Sequence, residues 1–365
     1  MTSEREAIIF IHGFYLGRDR NYFLDYLSTG FTDILEPYRI EEAGEEKIAG
    51  YIGKTIKLVT NKDNFKKIDV YDAYWNDLVN NQLSNRNLKD RLLRGIDMLF
   101  YWFFTKKLTI LTSCPPLLIG LGISLLLGIF WFYGIIALTF IALGQEPNSL
   151  GFPISEEWAK QISSFGKQMT NFTAWTLVSG FFSFVPINLM VDVAEFSTRY
   201  LKENSEGRIM RAKIRKQVSG TLNAVLETGY YNKVTILAHS FGVVIATDLL
   251  ADYQQEHRIR YVSMGGCLKF LSYKSNQIEK KIRKCINNEQ IETWIDFYSN
   301  QDWLSTKTFI PKDSNSEKIC HREIKLPFSL LKQITGKSHD HYFTDEEVLK
   351  TVLNIENHKS DVEAT

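Results

Sequence analysis

The sequence predicts an α/β fold, a mostly parallel sheet flanked by helices, interrupted by two transmembrane helices. Three observations carry that reading. Short apolar runs such as Ala7–Ile11, Lys233–Leu237 and Arg260–Met264 alternate with helical stretches, the pattern of strands joined by crossover helices. A strand, a very tight turn and a helix follow one another without a gap from Lys233 to Ala246. Two uncharged stretches, Leu108 to Gln145 and Gln168 to Val191, separate the early strands from that turn.

The first run, Ala7-Ile8-Ile9-Phe10-Ile11, reads as a fully buried strand. His12-Gly13-Phe14-Tyr15-Leu16-Gly17 follows it, and the glycine lets the backbone turn sharply and expose amide groups. Two N–H groups converging on one point can hold the negative oxygen of a tetrahedral intermediate. Phe14 and Phe241 are the candidates to supply them. His12 sits directly after the strand and reads as a turn-stabilising residue. Ile68–Trp75 reads as a further strand.

About 20 predominantly apolar residues cross a bilayer core as a helix. The first uncharged stretch exceeds that length, with a span expected over 115–137. The second is expected to span 171–191, with Pro186 and Asn188 near its end. Strands before and after these stretches build one sheet, so they share one side of the membrane and the number of spans is even. Residues 146–167 are then a loop on the far side. Arg86, Lys89, Arg91, Arg94, Lys106 and Lys107 precede the first span. Arg199, Lys202, Arg208, Arg211, Lys213, Arg215 and Lys216 follow the second. The loop has Lys160 and Lys167 against Glu146, Glu156 and Glu157. Positive charge gathers on the cytoplasmic side, so the globular head is expected there. The aromatic run Leu99–Phe104 suits the interface. The expected organisation is 1–107 and 194–354 as two parts of one globular domain, 108–193 as a transmembrane hairpin, and 355–365 as a polar tail.

The tight turn is Ala238-His239-Ser240-Phe241-Gly242. A serine there is held in a strained backbone with its hydroxyl exposed, between small residues that let strand and helix approach. Ser240 is therefore the candidate nucleophile. Ala238 replaces the first glycine of the usual G-x-S-x-G pattern. Ile291–Ser299 reads as a strand and Asn300–Leu304 as the loop at its end. Asp302 lies in that loop and Asp296 inside the strand. Ser338-His339-Asp340-His341-Tyr342-Phe343 offers two histidines before a terminal helix, for which Thr344 and Glu347 look like a capping box. His321 lies in an alternating run, Ile319–Ile324, and reads as structural.

These residues resemble the α/β-hydrolase superfamily, in its serine esterase and lipase branch. The resemblance is specific at the H-G turn and the nucleophile elbow and looser at the acid and base. It implies the order Ser240, Asp302, His339, with Asp296 as the alternate acid and Phe14 and Phe241 as the oxyanion hole. His339, three residues before Tyr342, matches the H-x-x-Y ending of several lipase-like members, and His341 is the alternate base.

The 365 residues suit one such domain with a membrane insertion. A net charge of +1 gives no reason to expect a nucleic-acid partner. Cys114, Cys267, Cys285 and Cys320 have no metal-ligand spacing and read as reduced intracellular thiols. The polar start Met1–Glu6 has no signal-peptide character. The expected function is a membrane-anchored serine hydrolase of carboxylic esters or thioesters, acting on lipid or acylated substrates without metal or organic cofactor. A catalytically silent membrane scaffold and an acyltransferase are the alternatives.

Overall fold

In the computed structural model, residues 4–15, 22–34, 39–61, 64–79, 117–145, 154–170, 180 and 187–355 are described. Eight strands form one sheet: β1 (Arg5–Ile11), β2 (Arg39–Ile48), β3 (Tyr51–Asn61), β4 (Asn64–Asp72), β5 (Lys233–His239), β6 (Ile259–Met264), β7 (Ile291–Tyr298) and β8 (Ile319–Glu323). Their order is β2-β3-β4-β1-β5-β6-β7-β8. The pairs β4–β1–β5–β6–β7–β8 are parallel, and β3 is antiparallel to both its neighbours.

The central strands are apolar without alternation because both of their faces are covered. In β1, Ala7, Ile9 and Ile11 join one core, while Ile8 and Phe10 join the other. The first core packs under α4 (Ile187–Leu201), α5 (Ser205–Glu227), α6 (Gly242–Leu250), α7 (Leu268–Lys274) and α8 (Asn276–Asn287). The second packs under α1 (Tyr22–Ile34) and the terminal helix α10 (Glu346–Val352). A short α9 (Leu330–Ile334) and a 3₁₀ turn, Lys337–Thr344, precede α10. The N-cap of α10 is Asp345, whose carboxylate accepts from the Val348 amide, not Thr344 as expected. Thr344 is one residue too early because its hydroxyl bonds to His341.

β1 and β5 are hydrogen-bonded neighbours. The chain leaves β1 to build β2–β4 on one side of it and returns as β5 on the other. That reversal is a topological switch point, where crevices open at the carboxyl ends of strands.

Among the described residues, two further helices lie between β4 and α4. Helix α2 (Leu117–Gln145) runs beyond the expected end at 137, since no charge or proline interrupts it before Gln145. Among the described residues it is the one helix long and apolar enough to cross a membrane, and almost none of it is buried. Helix α3 (Glu156–Thr170) corrects the expected far-side loop. Glu156 and Glu157 in its first turn and Lys167 in its last complement the helix dipole. It runs back along α2: the Phe140 and Phe165 rings lie 6.1 Å apart, and the Tyr133 hydroxyl donates to the Met169 carbonyl at 3.0 Å. Most of the expected second span, 171–179 and 181–186, lies outside the described residues, as do the aromatic run at 99–104 and Cys114.

Candidate active site

The carboxyl ends of β1, β5, β6 and β7 carry the candidate residues. Ser240 follows β5 directly and has φ +56°, a left-handed conformation that an L-residue adopts at a cost of about 1–2 kcal/mol. Its amide donates to the Met264 carbonyl at 3.0 Å, which fixes the turn against β6. Gly242 must lack a side chain, because a Cβ there would collide with the Ile11 and His12 carbonyls of β1. Gly13 is equally constrained: a Cβ there would lie 2.7 Å from Ser240 Cβ and 3.1 Å from its Oγ. The H-G turn and the serine turn are thus pressed together.

Phe14 and Phe241 lie in these two turns. Among the described residues, neither backbone amide donates to a protein acceptor. Both side chains are buried under α4. The Phe196 ring lies 4.7 Å from each of the Phe14 and Phe241 rings, and Tyr200 meets Phe241 edge-on at 5.3 Å. The helix that follows the apolar stretch therefore props both amide-bearing turns from behind.

Asp302 is fully buried in the turn after β7. Its Oδ1 accepts from the Leu304 amide at 3.0 Å. Its Oδ2 accepts from His339 Nδ1 at 2.8 Å and from the Tyr342 hydroxyl at 3.1 Å. A carboxylate only accepts, so His339 carries its proton on Nδ1 and leaves Nε2 bare. Burial pushes the His339 pKa down, but the charge and hydrogen bond of Asp302, with Asp340 behind, outweigh it and raise it above 6.5. The His339 ring edge approaches Gly265, the residue after the carbonyl that holds Ser240. Among the described residues, Ser240 Oγ and His339 Nε2 make no hydrogen bond. Such bonds are commonly loose without substrate and tighten in the reacting complex.

No family model, curated protein or solved structure matches this chain.

The alternates are engaged elsewhere. His341 bonds to the Thr344 hydroxyl at 2.9 Å and packs edge-on against Phe328, and burial lowers its pKa. Asp296 accepts from the Ser263 hydroxyl at 2.7 Å and the Thr308 amide at 2.9 Å, and lies 3.0 Å from His321 Nδ1. Neither alternate meets Asp302 or His339 by a hydrogen bond among the described residues. His12 is wholly buried, with its ring stacked between Phe23 and Trp75. Burial pushes it down to about 4 against a 2.7 Å bond to the Gly13 carbonyl. It stays neutral and stiffens the H-G turn. The Cys267 thiol, pushed up to about 12 chiefly by burial, remains protonated and is no rival nucleophile.

Two supporting residues escape the sequence reading. His239, inside the elbow itself, lies with Nε2 2.9 Å from the His339 carbonyl oxygen and its ring 4.7 Å from the His339 ring. Burial, and then the neighbouring charge of His339, hold its pKa well below the usual value, so it is a neutral donor. It ties the serine turn to the loop that carries His339. Tyr15 donates to Asp340 at 2.9 Å, which ties the H-G turn to the same loop. The signal for His239 lay in plain view, next to the serine; what was missing was the partner a hundred residues away.

Proposed function

We propose that this chain is a serine hydrolase of the α/β-hydrolase kind, held at a membrane, that cleaves carboxylic esters or thioesters of lipid or acylated substrates. The observation that supports it best is the buried Asp302–His339 pair, 2.8 Å apart, beside a serine held at φ +56°. His339 Nε2 takes the Ser240 proton as Oγ attacks the carbonyl carbon. The oxyanion lies between the amides of Phe14 and Phe241, which hold it without reorganising. The imidazolium, stabilised by Asp302, then gives its proton to the leaving group. Water attacks the acyl-enzyme through the same base and frees the serine.

The membrane part of the reading rests on α2. Because β1 and β5 are paired, a crossing by α2 requires a return crossing, and the expected span 171–191, whose last residues run into the first turn of α4, is the segment for it. Basic flanks favour a cytoplasmic head.

A fluorophosphonate probe tests the proposal on the full-length protein in its membrane. Labelling of the wild type that disappears in Ser240→Ala is the expected result. The missing Ser240–His339 bond favours the silent scaffold instead, and a folded wild type that takes no label selects it. Labelling, together with acyl transfer to an added alcohol in preference to water, selects the acyltransferase.

A further inference from the structure

A cleft of about 310 Å³ opens between α4, α5, α6 and α8. Tyr200 at the end of α4, Arg208, Arg211 and Arg215 on α5, Asp248 on α6 and Lys281 on α8 line it. The three arginines recur at i, i+3 and i+7, so one face of α5 presents all of them. Within this group and its neighbour Asp252 there are four positive and two negative side chains.

The acids do not neutralise the cleft; they order part of it. Asp252 lies 2.6 Å from both Arg215 and Lys281, and Asp248 lies 2.9 Å from Lys281. Burial pushes Asp252 up, but its hydrogen bonds and charge contacts with Lys281 and Arg215 bring it down to about 2, so it stays ionised. Arg211 uses one terminal nitrogen on the carbonyls of Tyr200 and Lys202, which caps the end of α4 and leaves its other N–H groups unspent. The guanidinium of Arg208, exposed at the rim, has no ion pair or hydrogen bond among the described residues. Two charges in excess, one free guanidinium and one anchored guanidinium make a fork suited to the oxygens of a phosphate.

We infer that this cleft binds a phosphate group, with Arg208 and Arg211 as its principal donors. Tyr200 lies nine residues beyond Val191, about 14 Å along a helix, so a lipid headgroup and a soluble phosphate ester are the two sources of that group. The inference stands apart from the hydrolase reading, since none of these side chains belongs to the candidate catalytic set.

The test uses the full chain in lipid nanodiscs and reads its thermal midpoint and label-free phosphate binding. In one arm, discs of neutral phosphatidylcholine are titrated with inorganic phosphate against chloride at equal ionic strength. In the other, phosphatidic acid replaces part of the neutral lipid. A midpoint that rises in either arm, with Arg208→Ala weakening the response about tenfold, is expected. A response in the first arm alone assigns a soluble ligand, and in the second alone a headgroup. Because the Arg208 side chain has no partner to lose, Arg208→Ala should melt like the wild type in neutral discs without phosphate. No response in either arm, or an unchanged response in Arg208→Ala, overturns the inference.

Discussion

Replacing Asp302 with asparagine should lower kcat/KM about 10⁴-fold while keeping the shape of the site. The size follows from the hydrogen bonds around that carboxylate. The Leu304 amide, 3.0 Å from Oδ1, keeps the carbonyl oxygen of the new side chain on its own side. The new NH2 group then occupies the Oδ2 position, 2.8 Å from His339 Nδ1 and 3.1 Å from the Tyr342 hydroxyl. An NH2 group only donates, so His339 must accept at Nδ1 and carry its proton on Nε2. An imidazole protonated there cannot take the proton of Ser240. A loss of 10⁴ corresponds to about 5 kcal/mol of transition-state stabilisation. The pH profile gives a second readout. The base must be neutral, and the His339 pKa is raised above 6.5, so wild-type kcat/KM climbs with pH through a value above 6.5. In Asp302→Asn the charge and hydrogen bond of Asp302 are gone, only Asp340 still opposes burial, and that acid limb moves to lower pH. The assay is hydrolysis of a short-chain nitrophenyl ester by protein in neutral nanodiscs, from about pH 5 to 9. Activity within tenfold of wild type, or an acid limb that stays in place, would refute the triad assignment.

Three more outcomes are expected. Ser240→Gly should be inactive but more stable than Ser240→Ala by about 1 kcal/mol, because glycine accepts φ +56° without strain; equal denaturation midpoints would remove the case for a strained elbow. His239→Phe keeps a ring against His339 but loses the 2.9 Å bond to its carbonyl, so kcat should fall about tenfold with KM little changed, whereas a purely structural histidine would alter the melting midpoint and leave kcat alone. Alkaline carbonate extraction should leave the chain in the membrane pellet, and recovery in the supernatant would show that α2 packs against protein instead of lipid.

Much of the sheet was legible because its central strands are fully buried. Runs such as Ile8–Ile11 and Val234–Ala238 have no other physical home, and the structure has strands there. The β2–β3 hairpin was not legible. Its outer strand is Arg-Ile-Glu-Glu-Ala-Gly-Glu-Glu-Lys-Ile, charged as an exposed edge should be and lacking an apolar run. Helix α3 was missed for a related reason: Glu156, Glu157, Lys160 and Lys167 read as loop, while its fully buried residues are small ones, Ala159 and Gly166, that carry no apolar signal. The Asp302–His339 assignment was readable only as an order of residue types along the chain. The preference for His339 over His341 became physical when Thr344 took the nitrogen of His341 and Asp302 took that of His339.

The chain alone determined where strands must be buried, where a serine must sit in a left-handed turn, and which stretch is too apolar to face water. Each is a matter of neighbouring residues and their period. Only the folded chain decided that Phe196 braces both amide turns, that His239 holds the loop of His339, and that three arginines on one helix face meet a lysine from another. These depend on pairings between residues tens to hundreds of positions apart, which no local pattern encodes because the energy that selects them comes from packing.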